Sequence, residues 1–143
     1  MSAETLLIDL GGTNLRAGVG NPESLKVSDV KKFPIKTNID FYNALDSINS
    51  EVNCNEIIIS AAGPCENNSI SMTNRDLSIS GTDVEKRLGA SGCYLLNDWE
   101  SIGYSLPLMK DNDLKTIKQG NLDLQNTCLA IGPGTGLGFS VLR

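Results

Sequence analysis

The sequence predicts an α/β fold in which a mixed sheet has helices on its flanks. Runs of leucine, isoleucine and other apolar residues at 5–10, 56–62 and 127–131 are typical of buried strands. Between the first two runs, residues 38–50 carry apolar side chains at helical spacing. Strands that alternate with helices along the chain indicate an α/β fold.

The first third of the chain predicts a hairpin followed by a third strand. Residues 5–10 form a buried strand, 11–14 a tight glycine-containing turn, and 15–20 a strand that returns antiparallel. Residues 24–33 alternate loosely and form the next strand. Pro34 marks the end of a ladder or the edge of the sheet, since proline donates no ladder hydrogen bond.

The remaining elements follow from periodicity and from capping residues. Phe41, Leu45 and Ile48 recur at intervals of four and three, which predicts a helix capped by Thr37 or Asn38. We further expect a buried, parallel strand at 56–62 and short strands at 69–72, 92–96 and 115–119. Two more helices are expected, from Gly81 or Thr82 to Leu88 and from Asn97–Asp98 to about Pro107. The last expected strands are at 127–131 and 137–142.

Composition excludes several classes of function. The chain has 143 residues, no histidine and a formal net charge of −5. The charge argues against nucleic acid or an anionic membrane as a partner, and the lack of histidine excludes a Ser-His-Asp triad within this chain. No apolar run reaches the ~18 residues of a membrane helix, and the amino end does not resemble a signal peptide. The four cysteines form no Cys-x-x-Cys pair, so we expect reduced thiols in a cytoplasmic protein.

The segment 9–14, Asp-Leu-Gly-Gly-Thr-Asn, is the first candidate site. A carboxylate in a buried strand is costly unless it has a partner, which indicates a function for Asp9. The glycine amides and the polar Thr13 and Asn14 can surround phosphate oxygens, while Asp9 meets Mg²⁺ directly or through water. An ordinary hairpin turn explains the same residues.

The segment 132–138, Gly-Pro-Gly-Thr-Gly-Leu-Gly, is the second candidate site. It fits neither the Walker pattern nor Gly-x-Gly-x-x-Gly, so the two most familiar nucleotide loops are absent. Four glycines in seven residues still allow a ligand to approach the backbone, and Thr135 adds a hydroxyl. A glycine-rich hairpin is the alternative.

The third candidate site is Asn97–Asp98, at the expected junction of a strand and a helix. Both residue types are favoured helix caps, which is the simpler explanation. Ligands also bind at the carboxyl ends of strands in α/β sheets, where Asp98 could act as a general base toward a hydroxyl group.

Together these segments resemble the sugar kinases of the hexokinase and actin-like superfamily, and most of all the bacterial glucokinase family. The residues that carry the resemblance are Asp9-Leu10-Gly11-Gly12-Thr13-Asn14, Ala61-Ala62-Gly63-Pro64, Met72-Thr73-Asn74, Leu96-Asn97-Asp98-Trp99 and Gly132-Pro133-Gly134-Thr135-Gly136-Leu137-Gly138. The resemblance implies an RNase H-like (actin-like ATPase) small domain at 1–109 and the beginning of a larger domain at 110–143.

The resemblance also implies ATP-dependent phosphorylation of glucose to glucose 6-phosphate. Asp98 would be the catalytic base, Asn97 would hold a sugar hydroxyl, and Thr73 and Asn74 would lie near the sugar rim. Asp9 would lie near Mg²⁺ and contact it through water. The residues that would face the phosphates of ATP are Gly11, Gly12, Thr13 and Asn14 on one side and Gly134, Thr135 and Gly136 on the other.

The sequence departs from the family pattern in three ways. Trp99 stands where the family usually has phenylalanine, and residues 75–77 are Arg-Asp-Leu where the family often has an aromatic residue. The chain also lacks the later sugar and adenosine segments of the family. We therefore expect an N-terminal part with little activity alone, which self-associates through the unpaired strand edge at 137–142. The alternatives are a non-catalytic module that binds sugar or nucleotide, and a kinase for another hexose.

Overall fold

The computed structural model describes residues 4–52, 54–72, 76–121, 123, 125–133 and 137–143. Within these residues the strands are β1 (Thr5–Leu10), β2 (Asn14–Asn21), β3 (Lys26–Pro34), β4 (Glu56–Ala61), β5 (Cys65–Glu66), β6 (Ser69–Met72), β7 (Leu77–Ser80), β8 (Gly92–Asn97), β9 (Cys128–Pro133) and β10 (Leu137–Leu142). The α-helices are α1 (Asn38–Asn49), α2 (Gly81–Leu88) and α3 (Asp98–Ser105). Two compact units divide the chain, an N-terminal unit at Met1–Asp98 and a C-terminal unit at Trp99–Arg143.

A five-stranded mixed sheet dominates the N-terminal unit, with the strand order β3-β2-β1-β4-β8. Strands β1, β2 and β3 pair antiparallel, which confirms the predicted hairpin and the third strand. Strands β1, β4 and β8 pair parallel, as expected for the apolar run at 56–62. The predicted α/β class with a mixed sheet and flanking helices is therefore confirmed.

The apolar core of this unit joins the sheet to α1. Leu6, Ile8 and Leu10 alternate along β1 and are at most 3% exposed. Phe41 and Leu45, on the apolar stripe of α1, are completely buried in the same cluster. The two periodicities seen in the sequence, of two and of 3.6 residues, thus meet in one core.

Local hydrogen bonds determine where the helices begin and end. Thr37 caps α1 through a capping box, in which its side chain accepts from the Asp40 amide. The Asp40 carboxylate accepts from the backbone amides of Lys36 and Thr37, and these bonds lower the pKa of Asp40. Helix α2 ends at Leu88 as predicted, and its C-cap Gly89 has a φ of 67°, which suits glycine.

A second, three-stranded sheet has the order β5-β6-β7. Strand β6 confirms the expected strand at 69–72, whereas β5 and β7 were not predicted. Strand β5 has two residues, too few for a periodic pattern. Strand β7 alternates apolar residues with serine over four positions, as β6 does over the same length, so its pattern was overlooked rather than absent.

In the C-terminal unit, α3 precedes an antiparallel hairpin of β9 and β10. These elements confirm the expected helix after Asp98 and the strands at 127–131 and 137–142. The strand expected at 115–119 is wrong, because these residues form no strand in the part of the chain that is described, and Ile117 is 96% exposed. A short polar segment without a neighbouring ladder gains little from an extended conformation.

None of the helices described is long and apolar enough to span a membrane. The domain division at 109 and 110, which comes from the family resemblance, stays a prediction.

Candidate active site at the carboxyl edge of the sheet

Three parallel strands end side by side at the carboxyl edge of the five-stranded sheet. Leu10 of β1 pairs with Ala61 of β4, and Ala61 pairs with Asn97 of β8. The turn at 11–13 follows β1, and Asp98 follows β8, so both begin at this edge. Ligands of α/β sheets bind at this position. The fold thus brings together two of the three segments that the sequence singles out.

The turn after β1 is tight and polar. The Gly11 amide donates to the Asn14 carbonyl at 2.9 Å, and the Ile35 amide donates to the Thr13 carbonyl at 3.0 Å. The Asn14 side-chain amide donates to Thr13 Oγ1 at 2.7 Å. Gly12 is exposed, and a Cβ placed there would meet no atom of the described residues within 4 Å. The turn therefore leaves open space beside Gly12, where a ligand can approach the backbone.

Asp9 lies on the exposed face of β1, so the expectation of a buried, costly carboxylate is wrong. Its side chain is 53% exposed, and its Oδ2 accepts a hydrogen bond from Arg16 Nη1 at 2.9 Å. The register explains the position, because Asp9 alternates with Ile8 and Leu10, which face the core. Its place near the turn at the carboxyl edge is the remaining structural argument for a function.

Arg16 is a residue that the sequence reasoning missed. It stands directly opposite Asp9 in the hairpin of β1 and β2. Residues at equal distance from a hairpin turn pair with each other, so counting outward from the turn would have found it. Its guanidinium is exposed near the carboxyl edge and has the fork geometry that binds phosphate oxygens.

The donor set near the turn is limited for a metal ion. Among the described residues, no three Cys, Asp or Glu side chains gather into a metal-binding group. Mg²⁺ often binds one or two protein carboxylates and takes its other ligands from water and phosphates. Asp9 fits that kind of site, with Arg16 as a competing cation.

Strand β8 passes into α3 without a loop, since β8 ends at Asn97 and α3 begins at Asp98. The Asn97 side-chain amide donates to the Gly63 carbonyl at 2.9 Å, which ties the end of β8 to the segment after β4. Asp98 is half-buried in the first turn of α3, where the helix dipole favours a negative charge. Asp98 can thus begin the helix and still place a carboxylate at the carboxyl edge of the sheet.

Five of the predicted site residues lie outside the described residues. They are Thr73 and Asn74 of the predicted sugar rim and Gly134, Thr135 and Gly136 of the second glycine loop.

The glycines that flank the second loop have a packing role. Gly132 and Gly138 pair across the hairpin of β9 and β10. A Cβ on either residue would collide with the indole ring of Trp99. These two glycines therefore allow the Trp99 ring to lie against the backbone of the hairpin, and this contact accounts for part of the glycine richness of the segment.

Comparison with known proteins shows which family this chain resembles. The family model described as Glucokinase matches residues 6–143. The glucokinase of Colwellia psychrerythraea (strain 34H) is 31% identical over 96% of this chain, and the match covers 42% of that relative. The chain thus spans less than half the length of this curated relative.

Solved structures share the fold. A glucokinase from an Antarctic psychrotroph superposes with a TM-score of 0.81 at 21% identity, covering 99% of this chain and 47% of the other. A ROK family glucokinase from Streptomyces griseus, in complex with glucose and AMPPNP, gives a TM-score of 0.68 at 22% identity, covering 97% and 44%. The fold is therefore the actin-like fold of sugar kinases. With the match over residues 6–143, the chain belongs to the glucokinase family.

Proposed function

We propose that this chain carries the sugar-binding and catalytic part of a kinase that transfers the γ-phosphoryl group of ATP to the 6-hydroxyl of glucose. The observation that carries the proposal is the alignment of strand ends, since the turn at 11–13 and Asp98 begin at one edge of the sheet. Membership of the glucokinase family supports glucose as substrate. The AMPPNP complex of the Streptomyces griseus relative supports ATP as donor.

Asp98 is the general base in this proposal. Its carboxylate accepts the proton of the sugar 6-hydroxyl as that oxygen attacks the γ-phosphoryl group. A positioned base of this kind contributes about 10²–10⁴-fold to the rate. Asn97, the neighbouring residue, holds another sugar hydroxyl, and Thr73 and Asn74 contact the rim of the sugar.

Backbone amides and one cationic side chain bind the phosphates. Gly11, Gly12, Thr13 and Asn14 face them from the turn after β1, and Gly134, Thr135 and Gly136 face them from the second loop. Arg16 adds a guanidinium near the first group. Asp9 would hold Mg²⁺, which neutralises phosphate charge when bound.

We expect the 143-residue chain alone to be a poor enzyme. It spans 42% of the length of its Colwellia relative, and the family resemblance implies that further sugar and adenosine contacts come from later segments. Phosphoryl transfer depends on positioning and on exclusion of water, and both require an enclosed site. Among the described residues the four cysteines form no disulfide, which supports a reducing, cytoplasmic location.

We also propose that the chain associates with itself through the hairpin of β9 and β10. Cross-strand pairing places five apolar side chains on one face, here called the hairpin face, and each is 51–66% exposed: Leu129, Ile131, Leu137, Phe139 and Val141. A contiguous apolar face of this kind marks an interaction surface. No nucleic acid or membrane partner is expected.

The test is release of ADP from Mg-ATP with glucose, mannose, galactose or no sugar. The assay uses the 143-residue chain and the longest protein that contains it. We expect release that depends on glucose in the longer protein and much weaker release from the chain. Release that ignores the sugar, or binding of glucose with no release, would contradict the proposal, and the latter would indicate a non-catalytic sugar-binding module.

A further inference from the structure

Strand β8 is the last strand of the five-stranded sheet, so one of its edges has no neighbouring strand in the described sheet. The side chain of Asn68 occupies part of that edge. Asn68 Oδ1 accepts from the Leu95 amide at 2.9 Å, and Asn68 Nδ2 donates to the Cys93 carbonyl at 2.7 Å. We call these two hydrogen bonds the Asn68 bridge. One carboxamide thus replaces a peptide group of a missing strand.

The backbone around Asn68 is shaped to make this bridge. Asn67 and Asn68 join β5 to β6, and both have positive φ angles, of 49° and 55°. Asparagine tolerates this conformation better than most residues, and paired left-handed residues form the tight turn of a two-residue hairpin. The Asn68 carbonyl also accepts from the Gly81 amide at 3.0 Å, so the backbone of this residue is held as well.

Gly81, at the start of α2, leaves room for the bridge. A Cβ added to Gly81 would collide with Asn68 Nδ2 and would lie 2.9 Å from the Cys93 carbonyl oxygen. Residues distant in the chain are therefore adapted to the same contact: a left-handed asparagine makes the bridge, and a glycine accommodates it.

Two further contacts continue along the same edge toward the candidate active site. The Cys65 thiol donates to the Leu95 carbonyl at 3.2 Å, and the Asn97 side chain donates to the Gly63 carbonyl at 2.9 Å. The segment at 63–68 therefore follows β8 up to the residue before Asp98. The Asn68 bridge is the contact in this series that holds both an amide and a carbonyl of β8.

We propose that Asn68 is a positioning residue, which holds the carboxyl end of β8 and with it Asn97 and Asp98. Its importance for catalysis rests on the proposed role of Asp98 as general base. A base must be held within a fraction of an ångström of its productive geometry. An edge strand without a partner is free to fray, and the bridge prevents this in the strand that leads into Asp98.

The test compares Asn68→Gly with Asn67→Gly. Both substitutions place glycine at a left-handed position of the same turn, but only the first removes the bridge. We expect hydrogen exchange of the Leu95 amide to become about tenfold faster in Asn68→Gly, as the loss of two hydrogen bonds implies. We expect exchange at Asn97 and Asp98 to rise in the same variant and to stay unchanged in Asn67→Gly.

A second variant disturbs the Asn68 bridge through a change at Gly81. Gly81→Ala displaces the Asn68 side chain without changing it, so we expect the same faster exchange at Leu95. The effect of the double variant Asn68→Gly/Gly81→Ala should fall short of the two single effects combined, because the bridge can be lost only once, although the close approach of the added Cβ to the Cys93 carbonyl remains. In the longest protein that contains the chain, Asn68→Gly should lower kcat about tenfold and leave the KM for ATP unchanged.

The outcomes separate this proposal from the proposed function. Equal exchange at Leu95 in Asn68→Gly and Asn67→Gly would overturn the bridge. Faster exchange at Leu95 with Asn97 and Asp98 unchanged would overturn the positioning role. Absence of sugar-dependent turnover in the unmodified protein would instead overturn the proposed function, and the exchange data would still decide whether Asn68 holds the end of β8.

Discussion

The N-terminal unit buries most of its apolar side chains, whereas the C-terminal unit exposes most of its own. The buried apolar residues of the described chain all lie in the N-terminal unit, with the exception of Ala130. In the C-terminal unit, the hairpin face presents a row of apolar side chains that are more than half exposed. Both units contain antiparallel hairpins, so strand pairing does not explain the difference.

The difference lies in which side chains pack against each sheet. The five-stranded sheet has α1, whose Phe41 and Leu45 complete a core with β1 and β4. In the hairpin of β9 and β10, the Trp99 ring lies beside Gly132 and Gly138 on one side. The side chains of the hairpin face, on the other side, are more than half exposed. The N-terminal unit thus has the core of an independent fold, and the C-terminal unit has a surface suited to a partner.

The two units should lose different amounts of unfolding free energy when a phenylalanine in each is replaced by alanine. Phe41 is completely buried and Phe139 is 60% exposed. We expect Phe41→Ala to lower the free energy of unfolding by about 3–5 kcal/mol, because it leaves a cavity in the core. We expect Phe139→Ala to lower it by less than about 0.5 kcal/mol. Urea unfolding at low protein concentration measures both, and equal losses would contradict the division into a closed core and an open face.

A charge on the hairpin face should weaken self-association. Phe139→Asp would place a carboxylate in an apolar contact, and we expect association to weaken about a hundredfold, because burial of an unpaired charge costs several kcal/mol. Val30→Asp is the matched control, since Val30 is 62% exposed on β3 of the N-terminal unit. Sedimentation velocity measures the effect. If Val30→Asp weakened association as much as Phe139→Asp, or neither did, the hairpin face would not be the contact.

A smaller effect should appear at alkaline pH. Burial raises the pKa of the Cys93 thiol from 9.0 to about 12, with a minor contribution from Glu85. The fold therefore favours the neutral thiol, so this contribution to stability is complete below pH 9 and is lost as the pH rises toward 12. We expect Cys93→Ala to flatten the decline of unfolding free energy above pH 9, measured by urea unfolding at a series of alkaline pH values. Identical slopes in the unmodified protein and Cys93→Ala would contradict this.

Local patterns in the sequence predicted most elements of the N-terminal unit. The spacing of Phe41, Leu45 and Ile48 gave α1, and the glycine turn after Leu10 gave the hairpin. Strand β7 was missed although Leu77 and Ile79 alternate with serines, because so short an alternation does not show that a neighbouring strand exists. The strand at 115–119 was predicted wrongly because an extended pattern does not reveal whether a neighbouring strand exists.

For the candidate site, the sequence located segments but not their contacts. Asp98 and the turn at 11–13 were identified from residue type and from their places after strands. The pairing of Asp9 with Arg16 depends on hairpin register, and the Asn68 bridge joins residues 25 and 27 positions apart. The first contact could have been inferred from the predicted hairpin, whereas the second becomes visible only when the topology is known.

The most direct test of the central claim is the turnover of Asp98→Asn with Mg-ATP and glucose, in the longest protein that contains this chain. Glu56→Gln is the matched control, because it removes one carboxylate at the opposite, amino end of β4 in the same sheet. We expect Asp98→Asn to lower kcat by about 10²–10⁴-fold with the fold retained, and Glu56→Gln to have nearly normal turnover. A rate for Asp98→Asn close to that of the unmodified protein would contradict the assignment of Asp98 as the base.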